Sequence, residues 1–262
     1  MDQEGWPHVE TPVTEERGVR IQVLPDLEAI SHQAVHLFIK ISKSSFAQKE
    51  KFVVALSGGS TPERFYHLIG SHPYGEKVDW DRVHLFWVDE RCVPKEDKAS
   101  NFKLVFDALL SAVPIPEENI HPMRTGEGPE QGARKYEEDL RAFFGRSRPP
   151  MFDLIFLGVG EDGHTASLFP GSDSLDERSR LVVPVYLGEP RKDRITLTLP
   201  VLNQARHILF LVAGHSKSEM VRAILGKEGD RARYPAGLVY PANGQVTWFI
   251  DEEAASKMKD RR

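Results

Sequence analysis

Five short, almost wholly apolar runs recur along the chain: Phe52-Val-Val-Ala-Leu56, Val83-His-Leu-Phe-Trp-Val88, Phe152-Asp-Leu-Ile-Phe-Leu157, His207-Ile-Leu-Phe-Leu-Val-Ala213 and Gln245-Val-Thr-Trp-Phe-Ile250. Runs of this length without polar alternation are strands covered on both faces. The stretches between them carry helical periodicity. After Asp26, a residue type that caps helices, Leu27, Ile30, Ala34, Leu37, Phe38 and Ile41 fall on one face. Strand and helix therefore alternate, which predicts an α/β fold with a mainly parallel sheet and helices on both faces. In such a sheet the strand ends align, and ligands bind beyond the carboxyl ends.

The residues placed at those ends are suited to a site. The run 52–56 leads into Ser57-Gly58-Gly59-Ser60-Thr61, with Pro62 expected to open a helix to Ile69. Free N–H groups, hydroxyls and the positive end of a helix form a phosphate receptor. The Gly-Lys-Ser/Thr ending of a nucleotide-binding Walker loop is missing. The run 83–88 delivers Asp89-Glu90-Arg91. After 152–157 come three glycines in six residues, Gly158, Gly160 and Gly163, with Asp162 and His164 in the same turn. The run 207–213 is followed by Lys217, at the start of a helix. A lysine is disfavoured beside a positive helix end, so its placement there points to an anion.

The remaining elements are less informative. Residues 1–17, with two prolines and no periodicity, are expected to form a loose N-terminal extension. A single domain is expected over residues 18–262. It holds a strand at 19–23, a helix over 101–113 capped by Ser100 with Phe102, Val105, Phe106, Leu109 and Leu110 inward, a helix through Tyr136 and Leu140, and strands at 181–187 and 194–199. Asp251 is expected to cap a short final helix.

Composition excludes several classes. The chain has 262 residues, a formal net charge of −5 and one cysteine, Cys92, so no internal disulfide forms and no global basic field invites nucleic acid. The opening residues lack the basic start and apolar core of a secretory signal, and no apolar stretch approaches the roughly 20 residues that span a bilayer. A cytoplasmic protein with no membrane or nucleic-acid partner is expected, either a monomer or a homodimer. Gly158-x-Gly-x-x-Gly163 matches the dinucleotide fingerprint by letter, yet Pro170 follows too soon for the crossover helix that motif requires. There is no G-x-S-x-G elbow and no H-E-x-x-H, and the other nine histidines are scattered, so no metal is expected.

Several of these stretches together resemble one family. They are Ala55-Leu-Ser-Gly-Gly-Ser-Thr-Pro62, Trp87-Val-Asp-Glu-Arg-Cys-Val-Pro94, Ser100-Asn-Phe102, the segment Phe152 to Pro170 with Gly-Glu-Asp-Gly-His-Thr-Ala-Ser-Leu-Phe-Pro, Arg194-Ile-Thr-Leu-Thr198 and Ala213-Gly-His-Ser-Lys217. From about residue 20 onward the sequence is similar to the 6-phosphogluconolactonases, within the wider glucosamine-6-phosphate deaminase-like, Rossmann-like fold. Related deaminases follow Asp-Gly-His with a segment containing Asn-Glu, where this chain has Thr-Ala-Ser-Leu-Phe-Pro.

The resemblance implies hydrolysis of 6-phospho-D-glucono-1,5-lactone in the oxidative pentose phosphate pathway, with no cofactor. It also implies that Ser57–Thr61, Arg194 and Lys217 hold the 6-phosphate and that His164 is the general base. The residue types suit that chemistry. Activating water for attack on a lactone needs a base near operating pH, and a histidine's ordinary pKa is about 6.5. Asp162 is expected to orient the ring or the sugar hydroxyls, and either Arg91 or N–H groups of the 158–163 loop to stabilise the oxyanion. Arg191 is an alternative to Arg194 at the phosphate. Two other readings use the same fold: a sugar-phosphate isomerase or deaminase moving a proton through Asp89, and a non-catalytic phosphosugar sensor.

Overall fold

The computed structural model describes residues 13–16, 19–146, 149–226 and 229–258. In chain order the strands are β1 (Val13–Glu16), β2 (Val19–Leu24), β3 (Phe52–Leu56), β4 (Val83–Trp87), β5 (Asp89–Arg91), β6 (Ile120–His121), β7 (Leu154–Leu157), β8 (Val182–Val185), β9 (Arg194–Leu197), β10 (His207–Val212) and β11 (Gln245–Asp251). The helices are α1 (Leu27–Phe46), α2 (Ser60–Gly70), α3 (Asn101–Val105), α4 (Pro129–Phe144), α5 (Leu199–Leu202), α6 (Ser218–Leu225) and α7 (Pro235–Leu238). Eight strands form one sheet in the order β1-β2-β11-β10-β7-β3-β4-β6, every pair parallel except β1 with β2.

The apolar runs behave as expected. Every residue of β3, β4 and β7 is buried, and one continuous apolar cluster extends from Val19 to Ala255. Asp26 Oδ1 caps α1 by accepting from the Ala29 N–H at 2.8 Å, and Ser100 Oγ caps α3 through the Lys103 N–H at 3.2 Å. Asp251 Oδ1 accepts from the Ala254 N–H at 2.7 Å ahead of a short 3₁₀ turn at Ser256–Met258. Leu56 is level with Trp87, Ala55 with Ile155 and Leu157 with Phe210, so four strands end along one rim. The chain leaves β3 towards β4 and the neighbouring β7 towards β10. The gap between β3 and β7 is therefore the switch point of the sheet, where a crevice opens.

Four sequence expectations change. The segment read as a loose extension up to residue 17 contains β1, which pairs with β2 from Val13↔Gln22 to Glu16↔Val19. Both prolines of the extension precede this strand, and the β-branched Val13 and Thr14 suit an edge that shields the backbone of β2. Residues 1–12 and 17–18 lie outside the described residues. The helix expected over 101–113 passes from α3 into a π-helical turn, Phe106–Leu110. That wider turn rotates the buried face onto Ala108, Leu109 and Leu110, leaving Phe106 47% exposed instead of inward. Helix α2 begins at Ser60, two residues before the expected Pro62, which stays within the first turn where its missing N–H costs nothing. Finally, β5, β8 and β9 form a separate antiparallel sheet in the order β5-β9-β8 instead of joining the main sheet, and the charged triplet 89–91 is itself a strand.

At the β4–β6 edge, His84 Nδ1 lies 3.2 Å from His121 Nε2, and both rings pack on Phe143. Burial, with the nearby Lys51 ammonium, lowers both imidazoles to about 4. In the unfolded chain the same groups take up protons near pH 6.5, so protons favour unfolding as pH falls from about 6.5 to about 4. Melting temperature should fall through that window. The fall should be smaller in the His84→Phe/His121→Phe variant when both proteins are scanned by calorimetry.

Candidate active site

The carboxyl rim opens into a cleft of about 340 Å³ lined by the Ser57–Pro62 turn, Asp89, Arg91, Asn101, Gly158–Gly160, His164, Ala166, Arg194 and Lys217. Its members come from both sheets. Loop 57–59 continues β3, loop 158–164 continues β7, and Lys217 stands at the first position before α6, beyond β10. Arg91 and Arg194 come from the small sheet.

At the β3 exit the turn is fixed from below, because Tyr66 of α2 donates to the Ser57 carbonyl at 2.6 Å. A Cβ on residue 58 would stand 1.7 Å from Asn101 Oδ1, so only glycine lets the turn approach α3 this closely. Asn101 in turn donates through Nδ2 to the Asp89 carbonyl at 2.9 Å and to its Oδ1 at 3.0 Å. The Ser57 hydroxyl and Asn101 Oδ1 are buried without a protein partner among the described residues.

At the β7 exit the loop folds back on itself. The Gly160 N–H donates to the His164 carbonyl at 2.8 Å, and the Gly163 N–H to the Gly160 carbonyl at 3.0 Å. This brings His164 Nδ1 to 2.5 Å from Asp162 Oδ1, which also accepts from the His164 N–H at 3.1 Å. Because a carboxylate oxygen accepts there, Nδ1 carries the ring proton and Nε2 keeps its lone pair. Burial raises the Asp162 carboxyl, but the bonds from His164 outweigh it and hold the carboxyl below its ordinary value. A Cβ on residue 160 would lie 2.0 Å from Nδ1, so the pairing depends on glycine. The ring packs on Phe169 at 4.5 Å between centroids, and the side chain is 32% exposed.

The small sheet supplies positive charge. Arg91 and Arg194 are register partners across β5 and β9, an arrangement of like charges that costs stability unless an anion sits between them. Both Nε atoms are buried without a protein acceptor among the described residues. Arg91 Nη1 donates to the Ala99 carbonyl at 2.5 Å. Burial lowers the Arg194 guanidinium below its usual pKa, against the pull of Asp89. Asp89 is buried, with Oδ2 accepting from Ser167 Oγ at 2.6 Å and lying 3.8 Å from Arg194 Nη1. Glu90 faces away from the cleft and accepts from the N–H groups of Arg91, Asn101 and Phe102 at 2.7, 2.7 and 2.8 Å; burial nonetheless raises its carboxyl.

The residues expected to catalyse or to bind phosphate gather here except Arg191, which is exposed, bonds weakly to the Leu187 carbonyl at 3.4 Å and does not line the cleft. Asp162 reaches the cleft through His164. Sequence reasoning gave no role to Asn101 beyond opening a helix, nor any to Ser167, which ties the histidine loop to Asp89. Their only signal was membership of the stretches that resemble the lactonases.

Comparison with known proteins gives the family. A sequence model for glucosamine-6-phosphate isomerases/6-phosphogluconolactonase matches residues 25–248. The chain belongs to this family. It is 37% identical over 244 residues to the 6-phosphogluconolactonase of Synechocystis sp., covering 92% of this chain and 98% of the relative. It is 36% identical to that of Haemophilus influenzae, covering 77% and 85%. Among solved structures, the 6-phosphogluconolactonase of Thermotoga maritima superposes with a TM-score of 0.76 at 31% identity, over 88% of this chain and 98% of that one. The Trypanosoma brucei 6-phosphogluconolactonase gives 0.78 at 28%, over 91% and 98%. A monomeric glucosamine-6-phosphate deaminase shares the fold at 23% identity and a TM-score of 0.77. Among the described residues no helix is long and apolar enough to cross a membrane.

Proposed function

We propose that this protein hydrolyses 6-phospho-D-glucono-1,5-lactone to 6-phosphogluconate in the cytoplasmic oxidative pentose phosphate pathway. The observation that carries the reading is one cleft joining an anion cradle to an oriented imidazole, in a chain whose relatives are lactonases over most of its length. The 6-phosphate sits at the Ser57–Thr61 turn with Arg194 and Lys217, and the lactone ring extends towards His164. Nε2 of His164 takes a proton from water as the oxygen attacks the carbonyl carbon. The resulting imidazolium is stabilised by Asp162, whose carboxylate stays ionised. The tetrahedral intermediate then collapses with cleavage of the ring C–O bond, and the imidazolium returns its proton to the leaving oxygen.

The oxyanion falls to Arg91 in this scheme. The N–H groups of Gly160 and Gly163 are already donated within their own loop, whereas Arg91 has N–H groups left over beyond Ala99. Asp89, with both oxygens held by protein, acts as a positioning residue. That argues against the deaminase reading, in which the same carboxylate moves a substrate proton.

The direct test supplies freshly generated lactone and follows acid release, with the spontaneous rate subtracted. Hydrolysis well above that rate, and no ammonia from glucosamine 6-phosphate, is the expected result. Phosphosugar binding without turnover would replace the enzyme by a sensor. Lys217 has no ion pair among the described residues, so Lys217→Ala should raise KM about tenfold through loss of one charge-assisted phosphate contact, with kcat nearly unchanged in steady-state assays.

A further inference from the structure

A second cleft, of about 260 Å³, lies on the flank where α4 ends and β8 begins. Arg141, Arg146, Arg178 and Arg180 line it, with Ser179 and Gln204, and among the described residues no aspartate or glutamate does. Four guanidinium groups around one concavity, only two of them paired with a carboxylate, are unexpected in a chain of net charge −5, because the unpaired charges repel and focus a positive potential into the cleft. We propose that this cleft is an anion site separate from the catalytic cleft, and that it takes a small ligand bearing a phosphate or polyphosphate group.

Three of the four guanidinium groups are held by neighbouring groups, while Arg146 is exposed. Glu177 Oε1 accepts from the N–H groups of Ser179 at 2.6 Å and Arg180 at 3.0 Å, fixing the turn that carries both arginines. Arg178 Nη1 donates back to the carbonyls of Leu175 at 2.6 Å and Glu177 at 2.9 Å. Arg141 is held by Glu137 at 2.7 Å, and Arg180 by Glu130 at 3.0 Å. Each anchor uses only part of a guanidinium that has five donors, and Arg146 and Arg178 have no carboxylate partner among the described residues. Preorganised forks with donors to spare match phosphate oxygens, and arginine binds such groups bidentately. Leu181, Pro200 and Val201 add an apolar floor to the same cleft, which suits the organic part of a phosphate ester.

Inorganic pyrophosphate is the first probe, measured by calorimetric titration at low and physiological salt. ADP and adenosine are parallel arms that separate a free polyphosphate site from a nucleotide site. Arg146→Ala/Arg178→Ala removes the two arginines that pair with no carboxylate, so the fold is retained, as circular dichroism checks. The wild-type protein should bind one more pyrophosphate than the double variant, or bind it at least tenfold more tightly. The equally charged control Lys40→Ala/Lys43→Ala, on the exposed face of α1, should behave as wild type. Identical isotherms for wild type and the arginine variant with both pyrophosphate and ADP, or an equal loss in the lysine control, would overturn the proposal. Binding of ADP but not pyrophosphate identifies a nucleotide, and the reverse a free polyphosphate.

Discussion

Replacing His164 with alanine should lower kcat for the lactone about 10²–10⁴-fold, the usual contribution of a general base, while KM stays within about twofold. The prediction rests on where the ring sits. Asp162 fixes the proton on Nδ1, so the only ring atom free to accept one is Nε2, and His164 lines the same cleft as the 57–61 turn. The ring makes no contact assigned to the phosphate, so its loss should leave binding intact. Asp162→Asn keeps the shape but offers an amide in place of an accepting carboxylate. It should give a smaller loss of kcat, because the ring is then misoriented and its imidazolium unsupported. Initial rates must be taken with fresh lactone and corrected for spontaneous opening. Equal rises in KM for His164→Ala and Lys217→Ala, with kcat unchanged in both, would make the histidine a binding group.

Asp89→Ala is expected to be the most damaging substitution for stability. Its carboxylate is buried, takes bonds from Ser167 and Asn101 and offsets the charge of Arg194. Truncation leaves Arg194 facing Arg91 without the carboxylate that pairs with it, and removing one partner of a buried pair costs about 3–5 kcal/mol. For a domain of this size that is a Tm lower by roughly 10 °C. Activity should fall as well, since Asp89 links the Gly58 turn through Asn101 to the histidine loop through Ser167. Asp89→Asn separates positioning from proton transfer. A positioning residue leaves the pH profile of kcat unchanged in form, with only its height reduced. Disappearance of one limb of that profile would return Asp89 to the role of acid or base.

Much of the site was legible before any coordinates, because strand ends are marked by abrupt changes in residue chemistry. Gly58, Asp162, His164 and Lys217 each follow an apolar run that has no alternative to the sheet, and parallel strands bring such exits to one rim. The small sheet was not legible in this way. Val182–Val185 and Arg194–Leu197 read as strands, but nothing local says that they pair antiparallel with Asp89–Arg91 instead of joining the large sheet. Pairing of short strands is set by long-range packing. For the same reason Arg194 was the preferred phosphate ligand by resemblance alone, and only the β5–β9 register put it beside Arg91 and left Arg191 outside.

What the sequence determined by itself was the mainly parallel α/β architecture, the glycine turn at 57–61 and the histidine loop, since each is encoded within contiguous stretches. Tertiary structure alone decided the second sheet, the opposed arginines, the burial of Asp89 and the four-arginine cleft. Those features join segments as far apart as Asp89 and Thr196, and the energy that selects them comes from desolvation and charge pairing that exist only after the chain has collapsed.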